Sequence, residues 1–177
     1  QRALNAWENG YFKKQILEVP EALHKDEGVR EETTKEILSQ LKPAFKPDGV
    51  ITAGNSSQIS DGAAALLLVS EDILNKFNLE PIAKIKSMAV VGTDPVLMLS
   101  GPIPATRKAL DQAKLKPEDI NLAEINEAFS SVVGAWRKEF PEINYENVNA
   151  NGGSIAIGHP LGATGARLMT NLIHEMK

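Results

Sequence analysis

Apolar runs alternate with amphipathic segments along the chain after about residue 60. The run 63–70 is apolar up to Ser70, as expected for a strand buried on both faces. In the last segment, Leu168, Leu172 and Ile173 recur at helical spacing. This alternation predicts an α/β fold with a largely parallel or mixed sheet. The predicted strands are 63–70, 82–91 and 120–125, and the predicted helices are 71–77, 102–113, 127–140 and 162–176.

The first 60 residues show a less regular pattern. A helix is predicted to end near Gly10, and a second helix is predicted over 31–41, where apolar residues again recur at helical spacing. The apolar stretch 16–19 before Pro20 predicts a short strand, and 50–52 is β-prone. The mixed charges of 24–30 indicate a loop.

Two local signals sharpen the helix boundaries. Ser70 stands directly ahead of Glu71 and Asp72, a combination that favours a helix start. Pro104 falls in the first turn of the predicted helix 102–113, where a proline is tolerated.

Composition narrows the classes of protein. The 177 residues carry a net charge of −4, and this argues against a broad nucleic-acid surface. There is no cysteine, which excludes both a disulfide framework and a thiolate metal site. The apolar run from Ala63 to Val69 is shorter than the ~20 residues of a membrane-spanning helix.

No targeting segment is visible, so we expect a cytoplasmic protein. Because the chain starts at Gln1 inside a predicted helix, we expect a longer natural polypeptide.

The segment from Asn151 to Arg167 is the strongest candidate for a functional site. It contains five glycines, which let a ligand or a second backbone approach closely, and it leads into a helix. His159 lies within it, and an imidazole suits proton transfer near neutral pH. The segment fails the phosphate-binding P-loop pattern, because His159 and Pro160 replace the lysine and the hydroxyl residue. A glycine-rich turn with an incidental histidine is the structural alternative.

Three further segments carry candidate residues. Asn126 lies where a strand is predicted to give way to a helix, at the sheet edge where ligands bind in α/β proteins. It could equally be a plain helix cap. The small residues of 52–63 suit either a slender ligand or a tight turn before a strand. Met98, in the proline-bounded loop 93–104, could line a pocket or belong to the core.

A serine hydrolase is one alternative from another class. Gly152-Gly153-Ser154-Ile155-Ala156 misses only the last glycine of the nucleophile-elbow pattern, and His159 follows shortly after. In that hypothesis Ser154 would be the nucleophile and His159 its base.

Taken together, four motifs resemble the thiolase family, the acetyl-CoA acetyltransferases and 3-ketoacyl-CoA thiolases. They are GNSSQISDGAAA from Gly54, GPIPA from Gly101, NEAF from Asn126 and GGSIAIGHPLGATGAR from Gly152. The resemblance implies a thiolase-like α/β fold with a mixed five-stranded sheet covered by helices, here incomplete. It implies that residues 1–55 end a loop domain and return to the core. It implies that residues 56–177 form a C-terminal domain that stops before its last strands.

The resemblance also implies roles for individual residues and an acyl transfer between coenzyme A thioesters. His159 matches the histidine that activates the nucleophilic cysteine, and Asn126 matches the asparagine that holds a water in an oxyanion hole. The resemblance implies contact with coenzyme A at four positions, Arg30, Phe45, Ala53 and Ser57. It implies contact with the acyl group at Met98 and Phe129.

The family's two catalytic cysteines are absent from the 177 residues, so we expect the chain alone to be inactive. The implied partners are acyl-CoA and coenzyme A, with no nucleic acid and no membrane. The resemblance further implies no metal or redox cofactor, and a homodimer or homotetramer at full length. A non-catalytic thiolase-like subunit that binds coenzyme A is the second alternative.

Overall fold

The computed structural model describes all of residues 1–177 and contains seven α-helices. The helices are α1 (Arg2–Glu8), α2 (Lys35–Ser39), α3 (Glu71–Phe77), α4 (Pro102–Ala113), α5 (Ser130–Glu139), α6 (Ser154–Ile157) and α7 (Thr164–Glu175). Short 3-10 turns cover Tyr11–Lys14, Ala53–Asn55, Pro117–Asp119 and Tyr145–Asn147. No helix combines the length and the apolar character needed to cross a membrane.

Helix boundaries agree best with the sequence where a polar cap marks them. Helix α3 has the predicted bounds, and the Ser70 hydroxyl accepts a hydrogen bond from the Ile73 N–H at 3.4 Å. Helix α4 also has the predicted bounds. Helix α2 starts later than predicted, because the Thr34 hydroxyl caps it by accepting from the Ile37 N–H at 3.3 Å, and it ends at Ser39. Helix α5 starts at Ser130 rather than residue 127.

The predicted strands 63–70 and 82–91 do not form a hydrogen-bonded sheet within this chain. The only β-type pairings are four isolated bridges: Val19 with Leu23, Pro43 with Thr52, Ser56 with Phe129, and Ala123 with Val148. The expectation that 63–70 is buried on both faces is therefore wrong for this chain. Leu67 is 82% exposed and Val90 is 86% exposed, because no neighbouring strand pairs with either run. Helix α4 contacts the second run, where Ser87 Oγ donates to the Ala109 carbonyl at 2.8 Å.

The predicted strand 16–19 is also wrong. Val19 pairs only with Leu23, through two backbone hydrogen bonds of 3.0 Å that close a tight turn around Pro20. The proline cannot donate a backbone hydrogen bond, and this favours a turn over continued pairing.

The segment 120–125 comes closest to a strand, because it meets 147–149 in parallel. The Ala123 N–H donates to the Asn147 carbonyl at 3.1 Å, and the Asn149 N–H donates to the Ala123 carbonyl at 2.9 Å. The Asn149 side chain then continues this pairing. Its Oδ1 accepts from the Ile125 N–H at 2.8 Å, and its Nδ2 donates to the Ile125 carbonyl at 3.0 Å. A side-chain amide thereby replaces one further step of backbone pairing.

The hydrophobic core lies between this pairing and helix α5. Trp136 is 3% exposed, and its ring centroid lies 5.1 Å from that of Phe140. The indole Nε1 donates to the Thr106 hydroxyl at 2.9 Å, which ties α5 to α4. The buried members of this core are Ile125, Val133, Trp136, Phe140, Ile143 and Val148. Because Ile125 belongs to this core, the core fixes the end of the 120–125 segment and so the position of Asn126, the next residue.

Candidate functional site

Two segments that leave this core meet at Asn126 and His159. Asn126 follows directly on Ile125, whose backbone N–H and carbonyl are both hydrogen-bonded to the Asn149 side-chain amide. Its Nδ2 lies 3.2 Å from His159 Nε2. The two residues that the sequence singled out for catalysis are thus in hydrogen-bonding contact, although 33 positions separate them.

The other ring nitrogen of His159 is also engaged. His159 Nδ1 lies 2.7 Å from the hydroxyl oxygen of Thr164, which donates to the Pro160 carbonyl at 2.9 Å. Thr164 is only 4% exposed, so its hydroxyl is a fixed partner. Both edges of the imidazole are held, and the ring orientation is therefore set before any substrate arrives.

Ser154 is the first residue of α6, and its side chain contacts that of Asn126. Its hydroxyl donates to Asn126 Oδ1 at 2.6 Å and accepts from the Arg167 guanidinium at 2.6 Å. The residue is 0% exposed. The serine hydrolase hypothesis does not fit these contacts, because a nucleophile must reach substrate and contact its base. Ser154 instead supports the asparagine.

Glu127 attaches the glycine-rich segment to the end of the 120–125 segment. Its carboxylate accepts from the Ile155 N–H at 3.1 Å and from Asn149 Nδ2 at 3.0 Å. A side chain at Gly153 would overlap this carboxylate, with the Glu127 Oε1 atom only 2.7 Å from the added Cβ. The glycine is therefore required for close approach.

Gln58 joins the same segment to the first third of the chain. Its side-chain Nε2 lies 3.0 Å from the Gly28 carbonyl, 3.1 Å from the Ile155 carbonyl and 3.0 Å from the Ala156 carbonyl. The backbone carbonyl of Gln58 accepts a hydrogen bond from the His159 N–H at 3.0 Å. Gly158, just before the histidine, has a φ of 91°, a left-handed conformation that glycine adopts without strain.

Three of the predicted substrate residues come together beside this pair. The rings of Phe45 and Phe129 meet edge-on, with centroids 5.6 Å apart. Ser57 donates its backbone N–H to the Ala128 carbonyl at 3.0 Å, between the asparagine and Phe129. Phe45 is 71% exposed, so this aromatic pair presents an apolar surface near the catalytic candidates.

The other three predicted substrate residues lie farther out. Ala53 is exposed, in the turn Ala53–Asn55 that precedes Ser57. Arg30 is exposed two residues after Gly28, the residue that Gln58 binds. Met98 is 57% exposed on a loop and has a φ of 48°, so it is not a core residue. Contact of these three with substrate stays a prediction.

A half-buried cluster of charged side chains lies next to the site. Arg167 faces the carboxyl groups of Glu124, Glu127 and Asp26. Burial raises the pKa of Glu124 to about 7, opposed by the positive charge of Arg167. Burial likewise raises the pKa of Asp26, again with Arg167 opposing it. Burial lowers the pKa of Arg167, since desolvation outweighs the attraction of the carboxylates.

The raised pKa of Glu124 makes stability depend on pH. Between its ordinary value of 4.5 and about 7, the unfolded carboxyl is ionised while the folded one keeps its proton. The free energy of unfolding should therefore fall as pH rises through this window, by up to about 3 kcal/mol. Glu124→Gln should remove this component, measured by urea unfolding at several pH values. Glu118→Gln, on an exposed turn, is the control. A pH dependence unchanged by Glu124→Gln would contradict the expectation.

Most of the supporting residues could not be predicted from the sequence. Thr164 and Arg167 stand in the glycine-rich motif, but nothing in their spacing shows that they bond to His159 and Ser154. Asn149 stands just before the same motif, and Gln58 lies about 100 positions away from it. A polar residue within or next to the glycine-rich motif is the sequence signal that could have pointed to Asn149, Thr164 and Arg167.

Comparison with known proteins gives consistent matches over the whole chain. A family model described as "Thiolase, C-terminal domain" matches residues 79–177, and one described as "Thiolase, N-terminal domain" matches residues 1–72. A 3-ketoacyl-CoA thiolase of Marinobacter nauticus is 46% identical over 186 residues, covering 99% of this chain and 48% of the relative. A probable acetyl-CoA acyltransferase of Staphylococcus aureus is 44% identical over 184 residues, covering 99% and 47%.

Solved structures give the same result. The acetyl-CoA acetyltransferase of Bacillus anthracis superposes with a TM-score of 0.91 at 44% identity, covering 99% of this chain and 46% of the other. Human mitochondrial 3-ketoacyl-CoA thiolase in complex with CoA superposes with a TM-score of 0.89 at 38% identity, covering 99% and 45%. The chain thus spans about half the length of the relatives it matches.

Proposed function

Because the chain belongs to the thiolase family, we propose that its 177 residues supply the histidine and asparagine of an enzyme that transfers acyl groups between coenzyme A thioesters. The contact between Asn126 and His159 is the observation that carries the proposal. It joins two sequence motifs into one polar site, and Phe129, which pairs with Phe45, follows Asn126 in one of them.

In this proposal the imidazole of His159 acts in proton transfer. A cysteine thiol would give up its proton to this ring, and the resulting thiolate would attack the carbonyl carbon of a coenzyme A thioester. The bond from the acyl group to the coenzyme A sulfur breaks, and coenzyme A leaves as a thiol by taking the proton back from the ring. The 177 residues contain no cysteine, so the thiol would come from residues outside them. Asn126 would support the same site by holding a water or a thioester oxygen as negative charge develops there.

Coenzyme A thioesters are the proposed substrates. Phe45 is exposed and Phe129 is half-buried, and their rings offer an apolar surface three positions after Asn126. The Ser57 N–H donates to the carbonyl of Ala128, the residue before Phe129. The human relative is described in complex with CoA. Arg30, Ala53 and Met98 are proposed as outer contacts with the same ligand. The proposal also includes a cytoplasmic location, assembly into dimers or tetramers, no nucleic-acid or membrane partner, and no metal or redox cofactor.

A non-catalytic subunit that binds coenzyme A is the second candidate. The absence of cysteine would favour it only if these 177 residues were the whole natural polypeptide, because without a thiol the site could bind a thioester but not accept its acyl group. The two candidates agree on the ligand and differ on turnover.

A domain graft separates the two candidates. The 177 residues would replace the matching region of the Marinobacter nauticus 3-ketoacyl-CoA thiolase, to which they are 46% identical. We expect the graft to cleave acetoacetyl-CoA with free coenzyme A, followed by the loss of its enolate absorbance. A folded graft that binds coenzyme A without turnover would favour the binding subunit.

The chain by itself should show no thiolysis of acetoacetyl-CoA, since it has no thiol to form an acyl-enzyme. The measurement uses the same assay on the purified chain, with the graft as the positive control. Turnover by the purified chain would contradict the thiol requirement.

A further inference from the structure

An unbroken line of hydrogen bonds runs through the site and past both catalytic candidates. Each link lies between 2.6 and 3.2 Å, and every member is buried or half-buried. Its members, in order, are Arg167, Ser154, Asn126, His159, Thr164 and the Pro160 carbonyl.

Arg167, the first member of this line, fixes which groups along it donate hydrogen bonds and which accept them. A guanidinium can only donate, so the Ser154 oxygen accepts from Arg167 at 2.6 Å. Ser154 is 0% exposed, so its hydroxyl hydrogen has no access to water. The one acceptor within reach is Asn126 Oδ1, at 2.6 Å. Ser154 therefore identifies which end of the Asn126 amide is the oxygen.

The orientation of the Asn126 amide in turn determines which ring nitrogen of His159 carries the proton. With its oxygen turned to Ser154, Asn126 presents its NH₂ group to His159 Nε2 at 3.2 Å. A neutral ring must accept there, so its proton lies on Nδ1. Nδ1 donates to the Thr164 hydroxyl at 2.7 Å, which donates to the Pro160 carbonyl at 2.9 Å. The reversed Asn126 amide would leave the Ser154 hydroxyl hydrogen without an acceptor, at a cost typical of a buried unpaired donor.

We propose that Ser154 and Arg167 are positioning residues that fix the Asn126 amide and thereby hold His159 as the Nδ1–H tautomer, with the lone pair on Nε2. Neither residue touches the reacting groups. The catalytic consequence, a ring ready to accept a proton through Nε2, rests on the proposed function. The tautomer itself does not, and it can be measured without any assay of turnover.

Long-range ¹H–¹⁵N spectroscopy of the full chain measures this tautomer directly. The chain has only three histidines, and His174 is an internal standard because its Nδ1 faces the Thr170 carbonyl at 2.9 Å, which can only accept. Well above an ordinary histidine pKa of about 6.5, the His159 pattern should match that of His174. A neutral His159 with its proton on Nε2 would overturn the proposal.

Variants of Ser154 test which residue sets the tautomer. Ser154→Ala should weaken the Nδ1–H preference of His159 and move its two nitrogen shifts toward averaged values, because only the Thr164 hydroxyl then favours this tautomer. The His174 signals should stay unchanged. Ser154→Thr keeps the hydroxyl and should restore the preference. Ser131→Ala, at an exposed serine, is the matched control. An unaltered His159 pattern in folded Ser154→Ala would overturn the proposal. If Ser154→Ala does not fold, the tautomer in the unmodified chain and in Ser154→Thr decides.

Discussion

Replacing His159 by alanine in the grafted enzyme is expected to lower turnover by about 10²–10⁴-fold, the usual contribution of a positioned acid–base group. The alanine variant loses the ring nitrogen that lies 3.2 Å from Asn126 Nδ2, which is the proposed acceptor for the thiol proton. The measurement is kcat for thiolysis of acetoacetyl-CoA.

Binding of coenzyme A should change far less than turnover in this variant. The aromatic pair of Phe45 and Phe129 is built from other segments and does not depend on the imidazole. His24→Ala is the matched control, because that side chain is 70% exposed and lies outside the site. Thiolysis by His159→Ala at the rate of the unmodified graft would exclude the proposed role of this residue.

Replacing Asn149 by alanine is expected to reduce the free energy of unfolding by about 3–5 kcal/mol. The change removes both partners of the buried Ile125 peptide groups, and each unpaired group costs about 1–3 kcal/mol. Asn149 also has a φ of 50°, a conformation that costs an ordinary L-residue about 1–2 kcal/mol. Urea unfolding of the chain measures the loss.

Asn144→Ala is the control for this stability prediction. That asparagine also accepts from a backbone N–H, at Glu146 and 3.1 Å, but it lies on an exposed turn where water can take its place. We expect a loss of about 1 kcal/mol or less there. Equal losses in the two variants would show that the buried amide contributes no more than an exposed cap.

Local signals in the sequence were enough for the well-capped helices. The Ser70 hydroxyl and the proline at the start of α4 act within one turn, so α3 and α4 have the predicted bounds. The predicted thiolase-like α/β fold is confirmed by the superposition on two solved thiolases. Long-range pairing could not be derived in this way. An apolar run of strand length requires a neighbour to pair with, and within this chain neither 63–70 nor 82–91 has one.

The site shows the same division between local and distant information. His159 and Asn126 could be singled out because each stands in an unusual local motif, and the structure brings them into contact. The division of the chain at residue 55 stays a prediction. The roles of Ser154, Thr164 and Arg167 depend on which atoms face one another across the glycine-rich segment. That information appears only once the chain has folded.

The close contacts around the glycine-rich segment also determine how freely its sequence can drift. At Gly153 a methyl group would overlap the Glu127 carboxylate, and at Gly158 the φ of 91° penalises any side chain. At Gly162 and Gly165 an added Cβ would meet nothing within 4 Å. Divergent descendants of this chain can therefore lose the last two glycines and keep a working loop. A search pattern that demands all five glycines would overlook them.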